Sequence, residues 1–149
     1  MEIPKVLASE VFLDTSYTIA LASPRDQHHA RAAALADQME SQSTRMITTR
    51  GVCLEIGSAL SRQSFRDSAI ALLESLESDP RVEIVPLSEQ IYARAFRLFR
   101  DRLDKEWGLT DCVSFVAMQQ LGLTAALTSD DHFRQAGFRA LLLDELPVT

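Results

Sequence analysis

Short apolar runs alternate with helical stretches along the chain. Residues 10–14 (EVFLD) set Val11, Phe12 and Leu13 in a row before a carboxylate and predict a buried strand. In SPRD, Ser23 takes an N-cap position, Pro24 the first helical position and Asp26 the third. That predicts a helix, which the Ala-rich ARAAALADQM continues, with His28 and His29 in its first turns. RMITT (Arg45–Thr49) reads as a second strand, and Thr48 or Thr49 caps a helix carrying Val52, Leu54, Glu55, Ile56, Ala59 and Leu60. Ser64 and Asp67, spaced as a capping box, predict a further helix with Ile70, Leu72, Leu73 and Leu76 as its apolar positions, broken by SDPR. Residues 82–86 form a third strand. Ser88 caps a long helix whose stripe is Ile91, Ala95, Leu98 and Leu103, with Arg94, Arg97, Arg100 and Arg102 opposite. DCVSFVAMQQLG is a helix stopped by Gly122. TAALTSDD is an apolar strand that ends in acids, HFRQAGF a short helix or turn, and RALLLDE a last strand.

Strands alternating with helices predict an α/β fold, a three-layer α/β/α sandwich around a central, mainly parallel sheet of about five strands, as one domain over 1–149. Ligands of such sheets gather beyond the carboxyl ends of the strands. Asp14 and Asp130 both stand there, Asp111 opens a helix, and Glu55 lies about two turns into another. Each acid alone has a plain structural use: Asp14 and Asp130 as caps or turn residues, Asp111 as a favourable charge at a helix N-terminus, Glu55 as the edge of an amphipathic helix. Together they describe a carboxylate pocket. Carboxylates that close raise one another's pKa, and a hard divalent cation resolves the conflict. Four acids without a supporting His or Cys cluster suit Mg²⁺ or Mn²⁺ rather than zinc.

Composition narrows the partners. A net charge of −6 argues against a surface that attracts nucleic acid everywhere, while leaving room for a local basic groove. No apolar run is long enough to span a membrane and the N-terminus lacks a signal-peptide pattern, so a cytoplasmic protein is expected. The two cysteines, Cys53 and Cys112, form no metal-binding pair and read as small packing residues.

The stretches FLDTSYTIAL, TTRGVCLEIGSAL, LTDCVSFVAM and ALTSDDHFRQAGF cover nearly the whole chain. In this order they resemble the PIN domain family, and more narrowly the VapC-type toxins of prokaryotic toxin–antitoxin pairs. The resemblance implies a Mg²⁺- or Mn²⁺-dependent endoribonuclease, usually a homodimer, held in check by a cognate antitoxin. It carries the family's catalytic acids onto Asp14, Glu55, Asp111 and Asp130. Asp14, Asp111 and Asp130 would hold the metal directly or through water, and Glu55 would be a ligand or orient the attacking water. Ser16 and Thr128 would support a carboxylate or a metal-bound water, and Ser114, one turn after Asp111, would face the same site. Asp131 shares the work of Asp130, and His132 either touches substrate, tunes an acid or simply packs, while Phe133 belongs to the core. Arg25, Arg45 and Arg50 are placed near the carboxyl edge as RNA backbone contacts, and Arg94, Arg97, Arg100 and Arg102 of the long helix have two readings, contacts to RNA phosphates or, as the default, a solvated face.

Two alternatives remain beside that reading. A catalytically silent PIN-like binding module would have no physical reason to keep stacked carboxylates. A haloacid-dehalogenase-like phosphatase would need an acid at position 16, where Ser stands, and a suitably placed Lys, where the chain has only Lys5 and Lys105.

Overall fold

The computed structural model describes residues 7–144. Part of the N-terminal segment in which no leader was expected, residues 1–6, and Glu145 of the last predicted strand lie outside the described residues. Five parallel strands form one sheet in the order β3-β2-β1-β4-β5. They are β1 (Glu10–Leu13), β2 (Arg45–Thr49), β3 (Val82–Val85), β4 (Ala125–Leu127) and β5 (Arg139–Ala140). Seven helices are present among the described residues: α1 (Thr15–Ala22), α2 (His29–Gln42), α3 (Arg50–Ala59), α4 (Gln63–Ser78), α5 (Glu89–Asp101), α6 (Leu109–Leu121) and α7 (Asp131–Gln135).

The chain lays down β1, β2 and β3 outward in one direction, then returns to the other side of β1 for β4 and β5. The order therefore reverses between β1 and β4, the kind of crevice where open α/β sheets bind ligands. Val11, Phe12, Ala126 and Leu127 along this central pair are fully buried. Beneath the crevice, aromatic rings pack in series: Phe12 against Phe133 (6.1 Å between centroids), Phe133 edge-on to Phe115 (5.0 Å), and Phe115 edge-on to Trp107 (5.1 Å). Phe133 is core, as expected, and its burial, at about 2 kcal/mol for such a side chain, pins the short helix α7 under the site.

Several local expectations are corrected. The helix expected from Ser23 begins only at His29. Ser23 instead closes α1, its N–H bonding Ile19 O at 2.9 Å, and Asp26 Oδ1 accepts from His28 N at 2.8 Å in a turn. Helix α1 escapes a periodicity reading because it has no polar face: Thr15, Tyr17, Thr18 and Ala20 are all buried. Ser64 and Asp67 make no capping box, since α4 starts at Gln63 with Arg62 at its N-cap and no side-chain cap bond. Ile70 lies on the solvent side of α4, and Leu103 falls beyond the end of α5, 90% exposed. The last strand is two residues long, because Leu141 to Asp144 turn away after Ala140. Thr49 caps α3 through Val52 N (3.1 Å), Ser88 caps α5 through Ile91 N (3.1 Å), and Gly122 ends α6 in the left-handed region that glycine tolerates (φ 67°).

Candidate active site

Asp14 is the residue that leaves β1 and precedes α1. A capping role would have its side chain accept the backbone N–H of the second or third residue of α1, and it makes no such bond. Its Oδ2 instead accepts from Thr128 Oγ1 at 2.7 Å and from Ser16 Oγ at 3.1 Å. The group is 6% exposed. Burial pushes its pKa up to about 6. The Thr128 hydrogen bond opposes that rise, and the nearby charge of Glu55 adds to it.

Thr128 follows β4 and is fully buried. Its hydroxyl also accepts the backbone N–H of Asp130 at 3.0 Å, so one oxygen ties the end of β1 to the acid that follows β4. Ser16 works alongside it. Its Oγ lies 3.2 Å from Thr128 Oγ1 and accepts from Ser129 N at 3.0 Å. Thr48 Oγ1 donates to Leu13 O at 2.8 Å and fastens β2 to the end of β1 beside Asp14.

Glu55, partly exposed on α3, turns toward the same crevice. Its Oε1 accepts from Thr15 Oγ1 at 2.5 Å. Thr15 is a site residue that the sequence reading missed. The available signal was a Thr next to the first acid, on a helix whose existence that reading did not foresee.

Asp111, in the first turn of α6, accepts from Gly108 N at 3.1 Å and thereby closes the helix start. The same Oδ2 lies 3.0 Å from His132 Nδ1. Asp130 caps α7 by accepting from His132 N at 2.9 Å, and its Oδ1 lies 3.4 Å from His132 Nδ1. For Asp111 and Asp130 the plain capping uses are therefore real and coexist with membership of an acidic cluster. Asp111, Asp130 and His132 each offer a ligand atom within 4.8 Å of the others. Burial raises the Asp111 pKa against the hydrogen bonds from His132 and Gly108. Burial lowers that of His132, but the bond to Asp111 and the charge of Asp130 more than offset this and leave it raised. Of the readings open for His132, the geometry favours the one in which it tunes an acid, because its ring sits between two of them.

The structure arranges the acids as two linked pairs. Asp14 stands with Glu55 and Asp111 with Asp130, and Thr128 joins the two pairs. This donor set fits a hard divalent cation. The observation that carries the fit is Asp14, a buried carboxylate near a second acid, held by two hydroxyls and, among the described residues, by no cationic side chain.

Other expected members lie elsewhere. Ser114 is buried, but its Oγ has no hydrogen-bond partner among the described residues and so supports none of the acids. Asp131 is exposed at the start of α7 and takes a 3.4 Å bond from Gln135. Arg45 begins β2 opposite Glu10, 4.0 Å from that carboxylate, which puts it at the amino edge of the sheet, away from the crevice. Arg50 does start α3 at the carboxyl edge, but it is paired with Glu77. Arg25 is exposed in the turn between α1 and α2. Cys112 is fully buried, and burial pushes its thiol up to about 11, as befits a packing residue; Cys53 is partly buried.

Residues 11–139 match the sequence pattern of the PIN domain. Over 129 residues, 86% of this chain and 95% of the relative, the sequence is 29% identical to the 23S rRNA-specific endonuclease VapC20 of Mycobacterium tuberculosis. The crystal structure of M. tuberculosis VapC20, a sarcin–ricin loop cleaving toxin, superposes with a TM-score of 0.78 at 23% identity, covering 92% of this chain and 99% of that one. VapBC2 from Rickettsia felis, bound to a DNA fragment from its promoter, superposes at 0.65 with 13% identity, over 88% and 96%. At these identities the two structural likenesses speak for the fold.

Proposed function

The chain belongs to the PIN domain family, and from that premise we propose that it is a Mg²⁺- or Mn²⁺-dependent endoribonuclease, the toxin of a toxin–antitoxin pair. The observation that carries the reading is the linkage of four acids from four separate elements: Thr128 joins Asp14 to Asp130, His132 joins Asp130 to Asp111, and the charge of Glu55 bears on Asp14. The similarity to an rRNA-specific endonuclease supports RNA as substrate.

Asp14, Asp111 and Asp130 would hold the ion. When bound, it would lower the pKa of a water and offset the charge that develops on the phosphoryl group. Glu55 has one carboxylate oxygen committed to Thr15, which leaves Oε2 to accept a proton from the attacking water. Thr128 and Ser16 fix the Asp14 carboxylate in one orientation. His132 Nδ1 lies between Asp111 and Asp130, and the hydrogen bond and charge of these two carboxylates favour its protonated form.

A cognate antitoxin is the proposed protein partner, supported by structural neighbours that were solved as VapBC pairs. Among the described residues no helix is long and apolar enough to cross a membrane, in keeping with the cytoplasmic site expected from the sequence. Tyr92, Phe96 and Phe99, each a little under half exposed along one face of α5, support the expected homodimer. The test is incubation of the purified chain, freed of any partner, with RNA in Mg²⁺, Mn²⁺ or EDTA. Internal cleavage with either ion and none in EDTA is the expected result; intact RNA in all three would overturn the reading.

A further inference from the structure

Helix α5 presents two unlike faces. Tyr92, Phe96 and Phe99 recur at helical spacing on one. Arg94, Arg97 and Asp101 lie on the other, where α5 meets α6 around a groove of about 430 Å³. Arg102 and the amides of Gln119 and Gln120 complete its polar lining.

The charges in this groove do not cancel. Asp101 is engaged by Arg100 at 3.2 Å. Arg102 makes two 2.9 Å bonds to Asp104 and stacks over the Trp107 ring, 4.9 Å from its centroid. Arg94 and Arg97 have no ion-pair or hydrogen-bond partner among the described residues; the isolated Arg25 and Arg62 share this, whereas Arg31, Arg45, Arg50, Arg66, Arg81, Arg134 and Arg139 are all engaged. Two uncompensated guanidinium groups thus stand one helical turn apart in a protein of net charge −6. Their Cβ atoms are about 5–6 Å apart, as for neighbours on one helix face, so both charges can serve one stretch of a polyanion.

Helix α6 connects this groove to the acids. Asp111 is in its first turn, and Gln119 and Gln120 are in its last, about 12 Å further along the axis. We propose that the α5–α6 groove is an RNA exosite in which Arg94 and Arg97 bind backbone phosphates of the substrate at a distance from the scissile bond. The groove offers donors and charge without a built base pocket, so it would position RNA rather than read its sequence. This inference rests on the ribonuclease reading above.

The test compares the wild-type chain with Arg94→Ala/Arg97→Ala, using Arg62→Ala as an exposed control. Affinity for a labelled RNA of some twenty nucleotides is read in EDTA across a salt series. Cleavage is read in Mg²⁺ or Mn²⁺ on that RNA and on one of three or four nucleotides. The double variant should bind the long RNA about tenfold more weakly, with a salt dependence shallower by about 0.7 for each phosphate left unneutralised. It should raise KM on the long RNA with kcat kept, and leave cleavage of the short RNA unchanged. Wild-type cleavage with identical affinity and salt slope in the double variant would overturn the exosite alone. So would an effect only on the chain's apparent mass in solution, which would assign the arginines to a protein contact. Failure of the metal-loaded wild type to cut any RNA would overturn the ribonuclease reading and the exosite with it.

Discussion

Thr128 donates its hydroxyl hydrogen to Asp14 Oδ2 at 2.7 Å, across 114 positions of chain. The same oxygen receives Asp130 N–H, so Thr128 sets the spacing of the two strand-end acids. Thr128→Val keeps the shape but leaves a buried carboxylate and a backbone N–H without this partner. The expected cost is about 1–3 kcal/mol of metal-free stability by urea denaturation. Cleavage should fall about 10- to 100-fold, as for residues that orient metal ligands. Thr128→Ser should retain most of both.

Asp14 predicts an inverted pH dependence. Its pKa is raised from 3.8 to about 6 on folding, so the folded chain binds the extra proton between those values. The contribution of Asp14 to metal-free stability should therefore be greatest below about pH 4, decline as pH rises toward 6, and level off above it. At about 1.36 kcal/mol per unit the decline is on the order of 3 kcal/mol. Asp14→Asn should flatten the curve and raise metal-free stability at pH 7.5, although the amide leaves one buried N–H group to satisfy. An Asn variant whose stability relative to the wild type does not grow from pH 4 to 6, or one less stable at pH 7.5, would contradict the account of Asp14 as an uncompensated buried acid.

His132 acts with the same sign in a higher pH range. Its pKa is raised by Asp111 and Asp130, so its contribution is present in full below its ordinary value near 6.5 and is lost as pH passes its folded value. Without metal, His132→Asn should destabilise the chain more at pH 5.5 than at pH 8.5. Thermal melts at the two pH values check this.

Thr15 holds Glu55, and that bond separates positioning from folding. Thr15→Val should lower kcat about tenfold or more while divalent-ion affinity, measured by calorimetry, changes little. Thr15→Ser should restore the rate. Equal losses in both variants would mean that Thr15 serves packing alone.

Much of this arrangement was legible in the sequence, and the reasons are local. Asp14 and Asp130 stood out because each ends an apolar strand, and a parallel α/β sheet brings such ends together. Thr128 and Ser16 were readable as polar neighbours of those acids. Helix α1 was not, because even its exposed positions, Leu21 and Ala22, are apolar, and it lacks the polar–apolar rhythm that marks an amphipathic helix. Thr15 was lost with it. Arg45 was misplaced because strand register, which pairs it with Glu10 at the amino edge, is a property of the sheet rather than of the local pattern. Ser114 shows the limit of helical spacing: one turn from Asp111 places it near the site axially but leaves its hydroxyl in the interior.

The central claim is that the acids around Thr128 hold a divalent ion that cuts RNA. Cleavage of an end-labelled RNA by the wild type, Asp14→Asn and Asp130→Asn, each with Mn²⁺ and with EDTA, tests it most directly. The account predicts internal cuts by the wild type with Mn²⁺ and by no other combination. Undiminished cleavage by Asp14→Asn, or cutting that persists in EDTA, would contradict it.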